Sequence, residues 1–184
     1  MKYWNKMIFE IRDATVQDAP MAAWVTLAAI GLPGEPSPRL QQVCAERDTL
    51  YSWEHMRVIT ADGIPVGGLI AYPGAEYARL RAKTWPRCWD EDPAELASID
   101  QECAPGEFYL DSMAILPEYR GNGLGRTLLL DAVAKGTEQG FDEITLIADK
   151  DHPGVVNYYE DTGFRIFGAM SFFGHDYWRM RFAK

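Results

Sequence analysis

The stretch Phe108-Tyr-Leu-Asp-Ser-Met-Ala-Ile-Leu-Pro-Glu-Tyr-Arg-Gly-Asn-Gly-Leu-Gly-Arg-Thr-Leu-Leu-Leu130 constrains this chain more than any other. It reads as an apolar strand, a glycine-rich turn carrying Arg120, and a helix opening near Leu124. No breaker interrupts Phe108 to Leu116, and Pro117 ends the ladder because it has no N–H to donate. Gly121, Gly123 and Gly125 alternate through the turn, so its backbone can take positive φ and approach a ligand with no Cβ in the way. Beyond it, Leu124, Leu128, Leu129, Ala132, Val133 and Gly136 recur at helical spacing, with Arg126, Asp131, Lys135 and Glu138 toward water. The first turn of such a helix has N–H groups without intrahelical partners and a partial positive charge, which together attract phosphate. Arg120 and Arg126 add planar donors that suit phosphate oxygens.

The spacing narrows the phosphate ligand. A dinucleotide fingerprint needs G-x-G-x-x-G, and counting from Gly121 the last glycine is replaced by Arg126. A P-loop needs Gly-Lys-Ser/Thr, which is not found here. What stands in the sequence is Arg120-Gly-Asn-Gly-Leu-Gly125, preceded by Leu116-Pro-Glu-Tyr, and it resembles the R-G-x-G-x-G segment of the GNAT superfamily of acyl-CoA-dependent N-acyltransferases. Tyr158-Tyr-Glu-Asp-Thr-Gly-Phe164 is similar to the Y-E-x-x-G-F signature of the same family, in the expected order. The resemblance spans about residues 7 to 182, with its distinctive motifs between 108 and 167. It implies that the amides and side chains of Arg120, Gly121, Asn122, Gly123, Leu124, Gly125 and Arg126 hold the pyrophosphate of acetyl-CoA. It also implies that Met113, Ala114 and Ile115 pair with the pantetheine arm.

The rest of the chain fits that frame. Met7 to Arg12 alternates like a strand, and Ala19 to Ile30 is an alanine-rich helix with Gly31 and Pro33 as stops. Arg39 to Thr49 is expected to form a second, short helix. Met56 to Ala61 and Ile64 to Tyr72 flank Asp62-Gly63, a strong hairpin signal. Pro65 belongs at a strand start, and Gly67-Gly68 marks a bulge or a close backbone approach. Glu76 to Glu107 is the least family-like stretch: Glu76 to Lys83 is expected to be helical and Trp85 to Ala94 an irregular or short-helical connection. It is read as a lid or pocket wall. Tyr72, Tyr77, Trp85 and Trp89 would then face a substrate, or else form a hydrophobic cluster under a long loop. Gly140 closes the central helix, Asp142 to Ala148 is a buried strand, and Asp151 is expected to cap a helix with Pro153 in its first turn. That helix, running to Thr162, is expected to bury Val155, Val156 and Tyr159. Phe164 to Phe173 and Tyr177 to Phe182 read as an antiparallel pair joined by Gly174-His-Asp176.

Interleaved strands and helices predict one α/β domain over residues 1–184, with a mixed sheet and helices on both faces. The family resemblance adds a mostly antiparallel GNAT-like sheet, splayed in the middle, with acetyl-CoA in the gap. The reaction it implies is direct attack of a primary amine on the acetyl thioester. A lysine-like amine, with a reference pKa near ~10.4, costs about 4–5 kcal/mol to deprotonate at pH 7. A base is therefore worth ~10²–10⁴-fold in rate. Asp111 lies two residues before Met113, so strand periodicity places both side chains on one face. A carboxylate there, beside the splay, is a base candidate; it could instead hold a helix N-terminus or an arginine. Glu107 is a second candidate. The resemblance makes Tyr159 the acid that protonates the leaving thiolate, with Tyr158 its neighbour; a tyrosine here can also simply pack the helix on the sheet. Many family members carry an asparagine seven residues before this tyrosine, where it helps bind the CoA arm. This chain has His152 there.

Composition bounds the alternatives. An apolar share of 47% and six tryptophans argue for a folded protein, and −9 net charge argues against a nucleic-acid partner. No run of about 18 apolar residues predicts a membrane span. The opening Met1 to Ile8 lacks a secretory apolar core. Cys44, Cys88 and Cys103 lack metal spacing and suit a reducing cytoplasm, and His55, His152 and His175 sit apart, so no metal is expected. The partner expected is a small-molecule amine or a protein amino group, and the C-terminal strand pair is compatible with a homodimer. The other class of function is a non-catalytic acyl-CoA sensor or regulatory module on the same fold. The acceptor and the acyl-chain preference are not written in these motifs.

Overall fold

The computed structural model describes residues 7–32 and 34–183. The helix stop expected at Pro33 and most of the opening segment, residues 1–6, lie outside the described residues. In chain order the elements are β1 (Phe9–Asp13), α1 (Ala19–Ala29), α2 (Pro38–Ala45), β2 (Met56–Ala61), β3 (Ile64–Pro73), α3 (Gly74–Cys88), α4 (Pro93–Ser98), β4 (Glu107–Ile115), α5 (Leu124–Glu138), β5 (Glu143–Asp149), α6 (Pro153–Thr162), β6 (Phe164–Phe172) and β7 (His175–Phe182). The strands form one sheet in the order β1-β2-β3-β4-β5-β7-β6. Every neighbouring pair is antiparallel except β4 with β5.

That parallel pair is the pivot of the fold. β4 and β5 are matched only at Glu107/Glu143, Phe108/Ile144 and Tyr109/Thr145. Beyond Tyr109 the two strands part, and β4 keeps its ladder to β3 alone as far as Ile115. The mixed, mostly antiparallel sheet opens in the middle, as expected.

Helices cover both faces. Ala23, Leu40, Leu80 and Leu96 of α1 to α4 pack with Tyr72 and Tyr109 on one side. Leu128, Leu129 and Val133 of α5 and Val156 of α6 pack with Leu69, Leu110 and Leu146 on the other. Each fully buried leucine contributes about 1.5–3 kcal/mol relative to exposure. Two glycines set the spacing. A Cβ on Gly136 would lie 2.5 Å from Ile144, so only glycine lets α5 sit this close to the sheet. A Cβ on Gly67 would lie 2.6 Å from the Ala114 carbonyl oxygen, which makes this the close approach expected of Gly67-Gly68.

Several expectations are corrected. α3 runs on through Trp85 to Cys88, with Pro86 inside its last turn, and α4 follows, so the 76–107 segment is largely helical. Proline is tolerated there because little helix remains beyond the bond it removes. Of the two readings of the aromatics, the hydrophobic cluster holds: Tyr72, Tyr77 and Trp85 are buried core residues. His152, not Asp151, is the N-cap of α6, since Asp149 Oδ1 already turns the chain by accepting from the Asp151 amide. Val155 points to solvent. The β6–β7 turn is Phe173-Gly174, both at positive φ, with Phe172 paired to His175.

Candidate active site

The glycine turn is built as its sequence demands. Gly121 and Gly123 have φ of +79° and +74°, and a Cβ at either would meet nothing within 4 Å. The glycines are needed for conformation, and the space beside them is open. Arg120 Nε donates to the Ile115 carbonyl at 2.9 Å and Asn122 Nδ2 to the Tyr119 carbonyl at 3.0 Å, which fix the turn from within. The first backbone bond of α5 runs from the Thr127 amide to the Gly123 carbonyl. Among the described residues, none of the amides from Gly121 to Arg126 donates to a protein acceptor. Six consecutive unengaged N–H groups thus lie in the turn and first residues of a helix N-terminus, a setting that suits a diphosphate. Arg126 Nη1 donates to the Asp161 carbonyl at 2.9 Å, tying α5 to α6.

Next to this turn lies the gap between β4 and β5. A cleft there is lined by Leu110, Asp111, Met113, Leu146, Ile147 and Tyr159, among others. Met113, Ala114 and Ile115 present a strand edge with no β5 partner. Tyr159 and Asp111 thus meet in one cleft although 48 positions separate them in the chain. Burial, with a smaller contribution from Tyr158, pushes the Tyr159 hydroxyl up to about 12. It therefore stays protonated at neutral pH and is available as a donor. Tyr158 is distinguished from it by position: its hydroxyl lies 2.9 Å from where a Cβ on Gly125 would sit. His152 is exposed at the start of α6, with Nδ1 3.3 Å from Asp149 Oδ2.

Asp111 does not share a face with Met113 as strand periodicity predicted. β3 pairs Ala71 with Leu110 but Ile70 with Ser112, so Asp111 is the extra residue of a β-bulge and the alternation slips by one. Met113 packs toward α5. Asp111 instead accepts a short hydrogen bond from the Tyr72 hydroxyl and another from Ser112 Oγ at 2.7 Å. The Glu107 carboxylate is already committed. Arg179 donates to one oxygen, and Thr145 Oγ1 and the Ala104 amide donate to the other.

The structure adds a residue that sequence reasoning missed. Glu102, from the segment before β4, accepts from the Tyr77 and Tyr109 hydroxyls at 2.7 Å each. Tyr72 and Tyr109 are directly opposed on β3 and β4, and the three rings lie 6.0 to 6.4 Å apart. Burial, then the neighbouring Asp111 charge, pushes the Glu102 carboxyl up. Burial likewise raises Asp111, against the hydrogen bonds from Tyr72 and Ser112. Neither carboxylate forms an ion pair among the described residues. Asp111 was marked in the sequence by its place on the central strand; nothing around Glu102 marked it. Among the described residues no group of three His, Cys, Asp or Glu side chains is arranged to hold a metal ion.

Residues 32–164 match the model of the acetyltransferase (GNAT) family. A stretch of 59 residues is 39% identical to a mycothiol acetyltransferase of Thermobispora bispora, covering 32% of this chain and 19% of that protein. The chain therefore spans less than a fifth of that curated relative's length in the match. An N-acetyltransferase from Staphylococcus aureus Mu50 has a similar fold, with a TM-score of 0.76 at 18% identity over 94% of this chain and 99% of the other. The PaiA N-acetyltransferase from Thermoplasma acidophilum, solved in complex with coenzyme A, aligns with a TM-score of 0.55 at 16% identity over 97% of this chain and all of the other.

Proposed function

Because this chain belongs to the acetyltransferase (GNAT) family, we propose that it moves an acetyl group from acetyl-CoA to a primary amine of a small molecule, or to a protein amino group, by direct attack. The observation that carries this reading is the run of six unengaged amides from Gly121 to Arg126 beside the β4–β5 gap. A similar fold solved with coenzyme A supports the choice of ligand.

Acetyl-CoA would supply a thioester whose carbonyl carbon is open to an amine. The amides from Gly121 to Arg126, with Arg120 and Arg126, would hold its diphosphate. The free edge of β4 at Met113, Ala114 and Ile115 would pair the pantetheine arm, as an added strand does at any open sheet edge. His152, at the exposed start of α6, would flank that arm. Asp111 would take a proton from the entering ammonium, and Tyr159 would give its hydroxyl proton to the departing sulfur. Oily walls from Leu110, Leu146 and Ile147 would keep water out of the cleft and strengthen both proton transfers.

Calorimetry with acetyl-CoA, followed by free-thiol release over a panel of amines, tests this. Binding with amine-dependent thiol release is the expected result. Binding without release over a broad panel would favour the sensor reading, and no heat at all would remove the cofactor assignment.

A further inference from the structure

The cleft offers Asp111 as its carboxylate, yet Asp111 does not stand alone. Tyr72 donates to Asp111, and Tyr77 and Tyr109 donate to Glu102, so three packed tyrosines hold two acids in one aromatic enclosure. Tyr51, from the loop before β2, is buried in the same core cluster as these rings, and burial and then both acids raise its hydroxyl; after burial, Glu102 also helps raise that of Tyr177 on β7. His55 packs edge-on against Tyr72 at 5.6 Å. Arg81 of α3 forms no ion pair with either acid, although its charge offsets part of the effect of burial on Glu102. Its guanidinium sits over the Tyr77 and Trp85 rings and donates to the Ile99 and Asp100 carbonyls. Two neighbouring carboxylates with phenol donors and no ion-pair partner cannot both stay ionised as readily as one.

Resting on the function proposed above, we infer that Asp111 and Glu102 act as one proton acceptor, with Asp111 touching the amine in the cleft and Glu102 acting through it as a positioning residue. An N–H bond of the entering ammonium breaks and an O–H bond forms on Asp111. The amine becomes neutral and the pair passes from two negative charges to one. Glu102 makes this favourable in two ways. Its charge draws the ammonium in, and the repulsion between the carboxylates is relieved when one is protonated. A lone buried carboxylate with two hydroxyl donors would be the weaker base, since those donors favour its ionised form.

The test is a carboxyl titration of the full chain followed by ¹³C NMR, with Asp and Glu side chains labelled, in the wild type, Glu102→Gln and Tyr77→Phe. It needs no cofactor or acceptor, so it stands apart from the calorimetry that decides whether acetyl-CoA binds. In the wild type the pair is expected to take up its protons in two separated steps. In Glu102→Gln the like charge is gone, so Asp111 should titrate in a single step as an acid at least tenfold stronger. In Tyr77→Phe the carboxylates stay and a donor is lost, so the pair should hold its first proton more tightly. An Asp111 titration identical in wild type and Glu102→Gln overturns the inference. So does a Tyr77→Phe protein whose pair becomes more acidic. With an acceptor in hand, the acid limb of kcat/KM should move to lower pH in Glu102→Gln and vanish in Asp111→Asn. A fixed limb in Glu102→Gln counts against the pair, because a purely structural glutamate would lower stability and leave the limb where it is.

Discussion

Glu107 and Arg179 form an ion pair that spans β5, at the end of the sheet where β4 and β5 are still hydrogen-bonded. Thr145 on the intervening strand donates to the same carboxylate at 2.9 Å. One side chain therefore ties β4, β5 and β7 together at the closed end of the gap, and the strands are free to part only beyond it. This explains why Glu107, a candidate base by sequence, has its oxygens occupied while Asp111, at the open end, faces the cleft.

Glu107→Gln should cost about 2–4 kcal/mol in chemical denaturation, because Arg179 would be left half-buried beside a neutral amide. The acid limb of the pH–rate curve should not move. A shift of that limb would return Glu107 to the chemistry.

Gly123→Val should weaken acetyl-CoA binding at least tenfold while the chain still folds. A Cβ at φ +74° meets no atom within 4 Å, so the folding penalty expected is backbone strain of roughly 1–2 kcal/mol. The larger loss comes from filling the open space beside the amides. Calorimetry decides it, and an unchanged affinity would move the diphosphate elsewhere.

Tyr159→Phe should lower turnover by about 10²-fold with acetyl-CoA affinity retained, as expected for loss of an acid that acts in the transition state. Tyr158→Phe, whose hydroxyl lies against Gly125, should change turnover little. Because burial holds Tyr159 near 12, no loss of activity from its ionisation should appear below that pH. A descending limb near the ordinary tyrosine value of about 10 that Tyr159→Phe abolishes would contradict this.

Asp18 supplies a pH-dependent share of stability. Burial pushes its carboxyl up, but the Arg12 guanidinium and the Thr15 amide and hydroxyl more than offset this, so it is held below the usual value. Arg12 contacts both oxygens, at 2.7 and 2.9 Å. A depressed carboxyl contributes fully above the unfolded value near ~3.9 and is lost as pH falls through the folded one. Asp18→Asn should therefore destabilise the protein at neutral pH and flatten its acid dependence over that window. Urea midpoints measured across it would show parallel curves if Asp18 contributes nothing.

The sequence by itself determined the strand, turn and helix from Phe108 to Glu138, the Asp62-Gly63 hairpin, and the positions of the glycines that the turn needs. These features rest on local rules, such as backbone sterics at Gly121 and Gly123 and the helical period that buries Leu128 and Leu129, so neighbouring residues carry them. Tyr159 was legible because its motif is contiguous. Only the tertiary structure decided which carboxyls belong together. The bulge at Asp111 arises from pairing with β3, and Glu102 reaches the same aromatic enclosure through helices whose course no short window of sequence encodes. Burial and proximity, the two causes that set the acidity of such a pair, are properties of the packed chain and exist only once it has folded.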